Sequence, residues 1–214
     1  MIMRLYDHRT QRVEELPPGP LRIHLHGGGA RALVTADLLR RLAERGRRPA
    51  RVTRAASVVP DGCTFDDLRV PDFEVAERAP EGALLIGPTP APGFSLVVFS
   101  DGRVPGDPLA VRFALLRARY RDPVLVDVAR ARADLDRWRS RVAEWATAPG
   151  RPMDRDRAAE AADTLADDLD GPGALAVLER LAADPDVPPG AKLETIVHLD
   201  LILGLDLVSA IGTR

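Results

Sequence analysis

The alternation of apolar and polar residues is clearest early in the chain, where it predicts a strand, a turn and a helix in succession. Residues 21–25, LRIHL, alternate as a half-buried strand does. Glycines follow at 27–29, and such a run tolerates positive φ angles and the close approach of other atoms. From Ala30 apolar residues recur at helical spacing until Gly46, and a second extended run begins at Val52. This order is the first unit of a nucleotide-binding α/β sheet.

Short apolar runs separated by glycine and proline continue the extended pattern through the first half of the chain. Extended segments are predicted at 3–7, 52–59, 83–86 and 95–99. We expect these runs to form a small sheet of about four short strands with few helices.

Beyond Gly106 the apolar residues take up helical spacing. Helices joined by short breaks are predicted there, and the residues that mark their starts are Asp107, Asp122, Asp154, Gly171 and Pro188. Short connections between helices are typical of a bundle. The predicted fold class is therefore α/β plus α: a shortened Rossmann-like, nucleotide-binding type of domain at 1–106 with a parallel sheet, followed by a helical bundle at 107–214.

The composition agrees with a globular protein. The chain is 45% hydrophobic and 29% charged, with a net charge of −2, and only 4% of its residues are aromatic. Alanine, leucine and valine must therefore fill the core, which favours helices and a small sheet. No apolar stretch reaches the length of a bilayer, and the first residues lack the apolar segment of a signal peptide. We expect a cytoplasmic protein with no membrane partner.

Few residues in the chain are suited to metal binding or to lysine-dependent catalysis. Cys63 is the only cysteine, which excludes an internal disulfide and any zinc site with two thiolates. His24 and His26 share one strand face and could hold a metal, but no third ligand is evident, so no metal site is predicted. Lys192 is the only lysine, and it lies far along the chain from the glycine turn.

The glycine turn is the best candidate for a ligand site. A helix that starts there exposes unpaired N–H groups and the positive end of its dipole, which favours an anion. The residues predicted to bind a cofactor are His26, Gly27, Gly28, Gly29 and Arg31. The GxGxxG spacing is absent, however, and glycines at such a turn also serve simply to pack a strand against a helix.

Several stretches together resemble the cysteinyl-tRNA synthetase family, which includes the mycothiol cysteine ligases. They are RLYD at 4–7, GGARALVTADLLRR at 28–41, DPLAVRFALL at 107–116, YRDP at 120–123 and TLADDLDGPGALA at 164–176. The resemblance implies a class I synthetase-like nucleotide-binding fold, ATP as the cofactor and a helical domain after the sheet. Within 164–176 the aspartates suggest a metal cluster at first sight, but their place at a helix end favours capping.

The departures from the family pattern bear on activity. The family's segment with a zinc-binding cysteine has no counterpart, Gly29 stands where the second signature histidine is expected, and no lysine occurs at 99–106, where the family's lysine loop should lie. Adenylate formation depends on donors and cations aimed at the charge that develops on the phosphates. We therefore expect a catalytically degenerate protein without zinc, which acts by binding a nucleotide or adenylate-type ligand or a protein partner.

Two other functions stay open. One is a residual ATP-dependent ligase that forms an aminoacyl-adenylate with His26, Arg31 and Arg103. The other is RNA binding through the arginines of 112–141, but the aspartates between them favour an ion-paired, solvated helix face. With a net charge near zero as well, we do not expect tRNA as a partner. Trp138 and Trp145 fall on one helical face, which fits core packing or the interface of a homo-oligomer.

Overall fold

The computed structural model describes residues 2–99, 106–123 and 125–213. In this part of the chain the elements are, in order, β1 (Arg4–Asp7), β2 (Arg12–Glu15), β3 (Leu21–Leu25), α1 (Ala30–Arg45), β4 (Ala50–Arg54), β5 (Glu74–Val75), β6 (Leu84–Gly87), β7 (Ser95–Val97), α2 (Pro108–Leu116), α3 (Val128–Trp145), α4 (Arg155–Ala166), α5 (Gly171–Ala183) and α6 (Pro189–Leu203).

A parallel sheet of five strands forms the first half of the described chain. Its strand order is β5-β4-β3-β6-β7, and Ile23 in β3 pairs with Val52 on one side and Leu84 on the other. The chain thus builds outward from the central β3 to one edge and then returns to build the other edge. This is the order of a Rossmann-like sheet, so the predicted α/β class with a parallel sheet is confirmed.

Helix α1 covers one face of this sheet and is itself covered from behind. Leu21, Ile23 and Leu25 alternate with more polar residues and are buried, as the period of two requires. Helix α1 packs against β3, β4 and β6 on one side and against α2, α4 and α6 on the other. It is therefore the layer between the sheet and the remaining helices.

Four strands differ from the sequence prediction: β2 and the edge strand β5 were not predicted, and β4 and β1 differ in extent or place. Strand β4 ends at Arg54 and not at Val59, because the chain turns there: Val58 N–H donates to the carbonyl of Ala55 at 3.0 Å. The lead-in strand β1 does not join the parallel sheet. It pairs with β2 in an antiparallel hairpin that the sequence analysis did not predict, and it contacts the edge strand β7.

The predicted helices after Gly106 are present, with one corrected start. Helix α3 begins at Val128 and not after Asp122, because the Asp127 side chain provides the cap, accepting from Arg130 N–H at 3.0 Å. Asp107, Asp154 and Asp170 cap α2, α4 and α5 in the same way. In the described part of the chain no helix is both long enough and apolar enough to cross a membrane.

A fully buried ion pair joins α1 to the helical part. Arg112 on α2 donates to the carboxylate of Asp37 on α1 at 2.8 Å, to the carbonyl of Leu203 at 2.7 Å and to that of Leu68 at 2.9 Å. Neither side chain of the pair is exposed. Gly204, with a φ of +67°, lets the chain pass close to the guanidinium, since a Cβ there would lie 2.8 Å from a terminal nitrogen of Arg112.

A second polar junction forms around Asp168, in the turn between α4 and α5. Its carboxylate accepts from Tyr6 N–H at 2.9 Å and from the Tyr120 hydroxyl at 2.6 Å, and it pairs with Arg121 at 3.0 Å. The backbone of Asp168 has a φ of +60°, and Leu169 follows it at +49°. The hairpin, the segment after α2 and the α4–α5 turn therefore meet at one buried carboxylate.

The neighbouring aspartates have separate roles. Asp170 caps α5 by accepting from Gly173 N–H at 3.1 Å, and Asp167 pairs with Arg4 at the surface. The capping interpretation is therefore right for Asp170. One hydrophobic cluster runs through both the sheet and the helical part, and the division into domains at 1–106 and 107–214 stays a prediction.

Candidate functional site

The turn at His26–Gly29 lies at the topological switch point of the sheet. Strand β3 has β4 on one side and β6 on the other, so the strand order reverses at β3: β4 and β5 extend the sheet to one side of it, and β6 and β7 extend it to the other. In open parallel sheets, ligands bind in the crevice outside the carboxyl ends of the strands at this point. The turn predicted as a ligand site from its glycines is therefore at the place where such a fold has a crevice.

The glycines of the turn allow close packing. Gly28 has a φ of +102°, and a Cβ there would lie 2.7 Å from the Cβ of Ala32. A Cβ on Gly27 would lie 2.9 Å from Cδ of Pro88, in the loop after β6. Gly29 is the N-cap of α1 and offers no side chain to the first N–H groups. Helix α1 thus starts without the aspartate cap that α2 to α5 have.

The His26 ring lies on the backbone of Gly87, at the end of β6. A Cβ at Gly87 would overlap the ring, so only glycine leaves room for it. The ring lies near the Thr89 backbone, whose hydrogen bond favours the protonated imidazole, and Nε2 is buried without a hydrogen-bond partner in the described part of the chain. Burial lowers the pKa of His26 although the bond to Thr89 acts in the opposite sense. The imidazole is therefore neutral near pH 7.

A carboxylate lies beside the start of α1. Asp61, in the loop after β4, places an oxygen 3.1 Å from the position that a Cβ of Gly29 would take. A negative charge at this distance stabilises the positive end of the helix dipole and disfavours the development of further negative charge on a ligand bound to the same N–H groups.

The two arginines that flank the turn bind protein groups. Arg31, on the first turn of α1, donates to the carbonyls of Arg119 and Asp122, both at 2.7 Å. Arg54, at the end of β4, pairs with Asp72 at 2.8 Å and lies over the ring of Phe65. Both guanidinium groups thus hold loops in place.

The only lysine lies elsewhere in the fold. Lys192 donates to the carbonyl of Ala182 at 2.9 Å and faces the ring of Trp145 within the helical part. It therefore cannot serve a phosphate at the turn. Arg103 and the rest of 100–105, where a lysine loop was expected, lie outside the described residues.

The structure brings together His26, Gly27, Gly28 and Gly29, but directs the Arg31 side chain to the segment after α2. Ligand binding at this turn stays a prediction. Sequence reasoning missed Asp61 and Gly87, which lie just after two other predicted extended segments, 52–59 and 83–86. The signal was available, because the carboxyl ends of parallel strands meet at one edge and the residues just after each predicted strand are neighbours there.

The other candidate sites from the sequence are used in packing. His24 is buried and its Nδ1 lies 2.9 Å from the Thr53 hydroxyl. Trp138 is 3% exposed, which places it in the core. The arginines on and near α3 are ion-paired: Arg132–Asp136 and Arg137–Asp134 pair within the helix as the spacing predicts, whereas Arg117–Asp134 and Arg141–Glu179 pair between helices.

The histidines predict how stability depends on pH. Burial lowers the pKa of all four, His8, His24, His26 and His198. Below about pH 6.5 the unfolded chain therefore binds more protons than the folded one, so stability must fall as the pH drops from 7.5 to 5.5. Urea unfolding at three pH values in this range measures the effect.

A single-histidine variant provides the control. His24→Gln should show a smaller loss of stability over the same pH range than the unaltered chain. Burial raises the pKa of the Asp200 carboxyl, which acts in the opposite sense, so the difference between the two proteins isolates the histidine contribution. Stability that is constant or rises on acidification in the unaltered chain, with no difference in the variant, would contradict the prediction.

Comparison with known proteins gives a consistent group of relatives, although no protein-family model matches the chain. The chain is 37% identical over 120 residues to the L-cysteine:1D-myo-inositol 2-amino-2-deoxy-alpha-D-glucopyranoside ligase of Streptosporangium roseum. Ligases of the same description match from Acidothermus cellulolyticus, at 38% over 119 residues, and from Mycolicibacterium vanbaalenii, at 39% over 125 residues.

These alignments are partial for both partners. Each covers 53% of this chain and 27–28% of the relative, so the chain spans little more than a quarter of the length of the ligases it matches. The same ligase description recurs in relatives from further organisms, among them Thermobispora bispora and Thermomonospora curvata. Over about half of its length, the chain is therefore similar to these L-cysteine ligases.

Proposed function

We propose that this chain is a class I synthetase-like protein that binds a nucleotide or adenylate-type ligand at His26–Gly29 and does not activate an amino acid. The observation that carries the proposal is the place of the turn. It lies at the switch point of the sheet and leads into a helix that no side chain caps at Gly29. The relatives are ligases that by their name act on L-cysteine, and the family resemblance implies ATP as the cofactor.

The charges around the turn support loss of catalysis. Forming an adenylate develops negative charge on the phosphates, and each missing donor typically costs about 100- to 1,000-fold in rate. Here His26 is neutral, Arg31 binds carbonyl groups and Asp61 adds a negative charge next to the helix start. These groups do not suit the transition state of phosphoryl chemistry.

The zinc of the family does not fit the residues of this chain. A cysteine-selecting zinc site needs several ligands, and Cys63 is the only cysteine. His24, the nearest histidine to His26 in the sequence, bonds to Thr53. We therefore propose a function without metal-assisted capture of a thiol.

Amino-acid-dependent exchange of labelled pyrophosphate into ATP tests the catalytic half of the proposal. We expect no exchange above background with cysteine or with a mixture of amino acids. Exchange by the pure protein would favour the residual ligase instead, in which His26, Arg31 and Arg103 would act. The ligase names of the relatives make this the second candidate.

Calorimetric titration with ATP and with a non-hydrolysable cysteinyl-adenylate mimic tests the binding half. We expect saturable binding of at least one of them, and at least tenfold weaker binding to Gly28→Ala, whose new Cβ meets Ala32. Gly19→Ala is the matched control, because Gly19 has a similar φ of +100° but no atom within 4 Å of a new Cβ. No heat with either ligand, or equal weakening in both variants, would refute the site.

A further inference from the structure

Several arginines lie together at the amino end of the parallel sheet, where β3 and β4 begin. The Leu21 N–H donates to the carbonyl of Pro49 at 2.8 Å, which holds the start of β3 against the segment between α1 and β4. The arginines of these two segments are Arg22 in β3, Arg45 at the end of α1, and Arg47 and Arg48 just after it. We call these four residues the arginine cluster.

The positive charge of the arginine cluster is not balanced by carboxylates. In the described part of the chain none of its members forms an ion pair, and the acceptors that they contact are uncharged. Arg48 donates to the carbonyls of Pro17 and Gly19 at 2.6 and 2.7 Å, and Arg22 donates to that of Glu81 at 3.3 Å. Even when the Glu81 carboxylate is counted against the four arginines, three positive charges remain.

Two pKa shifts agree with this surplus. Burial lowers the pKa of Arg48 and no carboxylate acts in the opposite sense, whereas the bond to Glu74 raises the pKa of the nearby Arg51. Burial, and then the charge of Arg45, lower the pKa of His198 on α6, whose ring lies 2.7 Å from Arg45. An anion supplied from outside the molecule would therefore be stabilised at the arginine cluster.

The loop after β4 carries unbalanced charge of the opposite sign. Its exposed carboxylates are Asp61, Asp66 and Asp67, and none of them is ion-paired to a described residue. Arg54 and Arg69, the nearest arginines in the sequence, pair with carboxylates outside the loop. Burial raises the pKa of the Cys63 thiol, and the charges of Asp67 and Asp61 raise it further. We call residues 61–67 the acidic loop.

The two charged regions lie at opposite ends of β4. Arg48 precedes the strand and the acidic loop follows it, and the five residues Ala50–Arg54 span roughly 17 Å. The regions therefore cannot neutralise each other within one molecule, but a second copy displaced along the strand direction can bring its acidic loop to the arginine cluster of the first. We infer that copies of this chain associate head to tail through these two regions.

The overall charge of the protein permits such a contact. The net charge is −2, so long-range repulsion between copies is weak. The contact joins two different surfaces, and a contact of this kind produces rings or open chains of copies and not a two-fold dimer. Exposed ion pairs are individually weak and are screened by salt, so the association is weak and depends on ionic strength. It does not depend on whether the glycine turn binds a ligand.

Sedimentation equilibrium at two salt concentrations tests the inference. In about 20 mM NaCl the weight-average mass should rise above that of one chain as the protein concentration increases. In about 200 mM NaCl the association constant should be at least about tenfold lower, because salt screens the exposed charges. A protein that stays monomeric in low salt at millimolar concentration would overturn the inference and leave the arginine cluster to another anion.

Charge-reversal variants identify the two surfaces. Arg22→Glu with Arg47→Glu reverses the arginine cluster, and Asp61→Arg with Asp66→Arg reverses the acidic loop. Each double variant alone should be monomeric in low salt. Their equimolar mixture should associate, because one protein then has acidic groups at both ends of β4 and the other has basic groups at both.

The double variant Arg151→Glu, Arg155→Glu is the matched control. It makes the same change in net charge as reversal of the arginine cluster, at two exposed arginines of the helical part that form no ion pair with a described residue. The control should associate as the unaltered chain does. Equal loss of association in the control and in the Arg22→Glu, Arg47→Glu protein, or no association in the mixture, would mean that these two surfaces do not meet.

Discussion

Replacing Asp37 with asparagine is expected to destabilise the protein by about 3–5 kcal/mol, the usual cost of removing one partner from a buried ion pair. The Arg112 guanidinium would stay fully buried without its counter-charge, held only by uncharged acceptors. Burial already lowers the pKa of Arg112, although Asp37 acts in the opposite sense. Asp37 also pairs with Arg40 and Arg41, so its loss leaves three cations close together.

Urea unfolding followed by tryptophan fluorescence measures this effect, since Trp138 is buried in the core. Asp136→Asn is the control: Asp136 also lies between two arginines, but its side chain is 60% exposed, and a change of about 0–1 kcal/mol is expected. The double variant Asp37→Leu, Arg112→Met should recover much of the lost stability, because it removes both buried charges. If Asp37→Asn and Asp136→Asn cost the same, the buried pair is not what joins α1 to α2.

Replacing Asp168 with alanine is expected to cost about 3–4 kcal/mol. The change leaves the Tyr120 hydroxyl and the Tyr6 N–H without an acceptor, at about 1–3 kcal/mol for a buried group. It also places alanine at a φ of +60°, where a residue with a Cβ and no local polar group is strained by about 1 kcal/mol. Asp168→Asn should cost less, because asparagine tolerates this backbone conformation and still accepts a hydrogen bond.

Asp167→Asn is the matched control for the second prediction. It changes the charge in the same way at the adjacent residue, but Asp167 is 53% exposed and pairs with the equally exposed Arg4. We expect it to change the free energy of unfolding by less than about 1 kcal/mol. The order of destabilisation should therefore be Asp168→Ala, then Asp168→Asn, then Asp167→Asn. Any other order would show that the buried carboxylate is not the centre of this junction.

The two junctions explain what the family-like stretches do in this chain. Asp37 and Arg112 come from two of these stretches and pair with each other, and Tyr6, Tyr120 and Asp168 come from three more and meet at one carboxylate. The residues that carry the resemblance therefore join the layers of the fold. This supports the proposal that the scaffold is retained while the chemistry is lost.

Both junctions left a signal in the sequence that the pattern analysis did not use. Arg112 is the only charged residue of α2, and Asp37 interrupts the apolar stripe of α1. A charge at a position that helical spacing assigns to the core needs a buried partner, because burying it alone is costly. The sequence marks both residues in this way, but spacing along the chain does not show that each is the partner of the other.

The sequence by itself determined the succession of β3, α1 and β4, the parallel α/β class and the helical second half. These follow from periodicity and from capping residues, which act over a few positions along the chain. It also determined that the glycine turn opens a helix after the central strand.

Only the tertiary structure decided the strand order, the antiparallel hairpin and the partners of Asp37 and Asp168. It also decided that His26 lies on Gly87 and that Asp61 lies beside Gly29, since these contacts join residues 32 to 162 positions apart. Side chains so distant in sequence meet only when the packed layers bring them together, and no local pattern encodes that geometry.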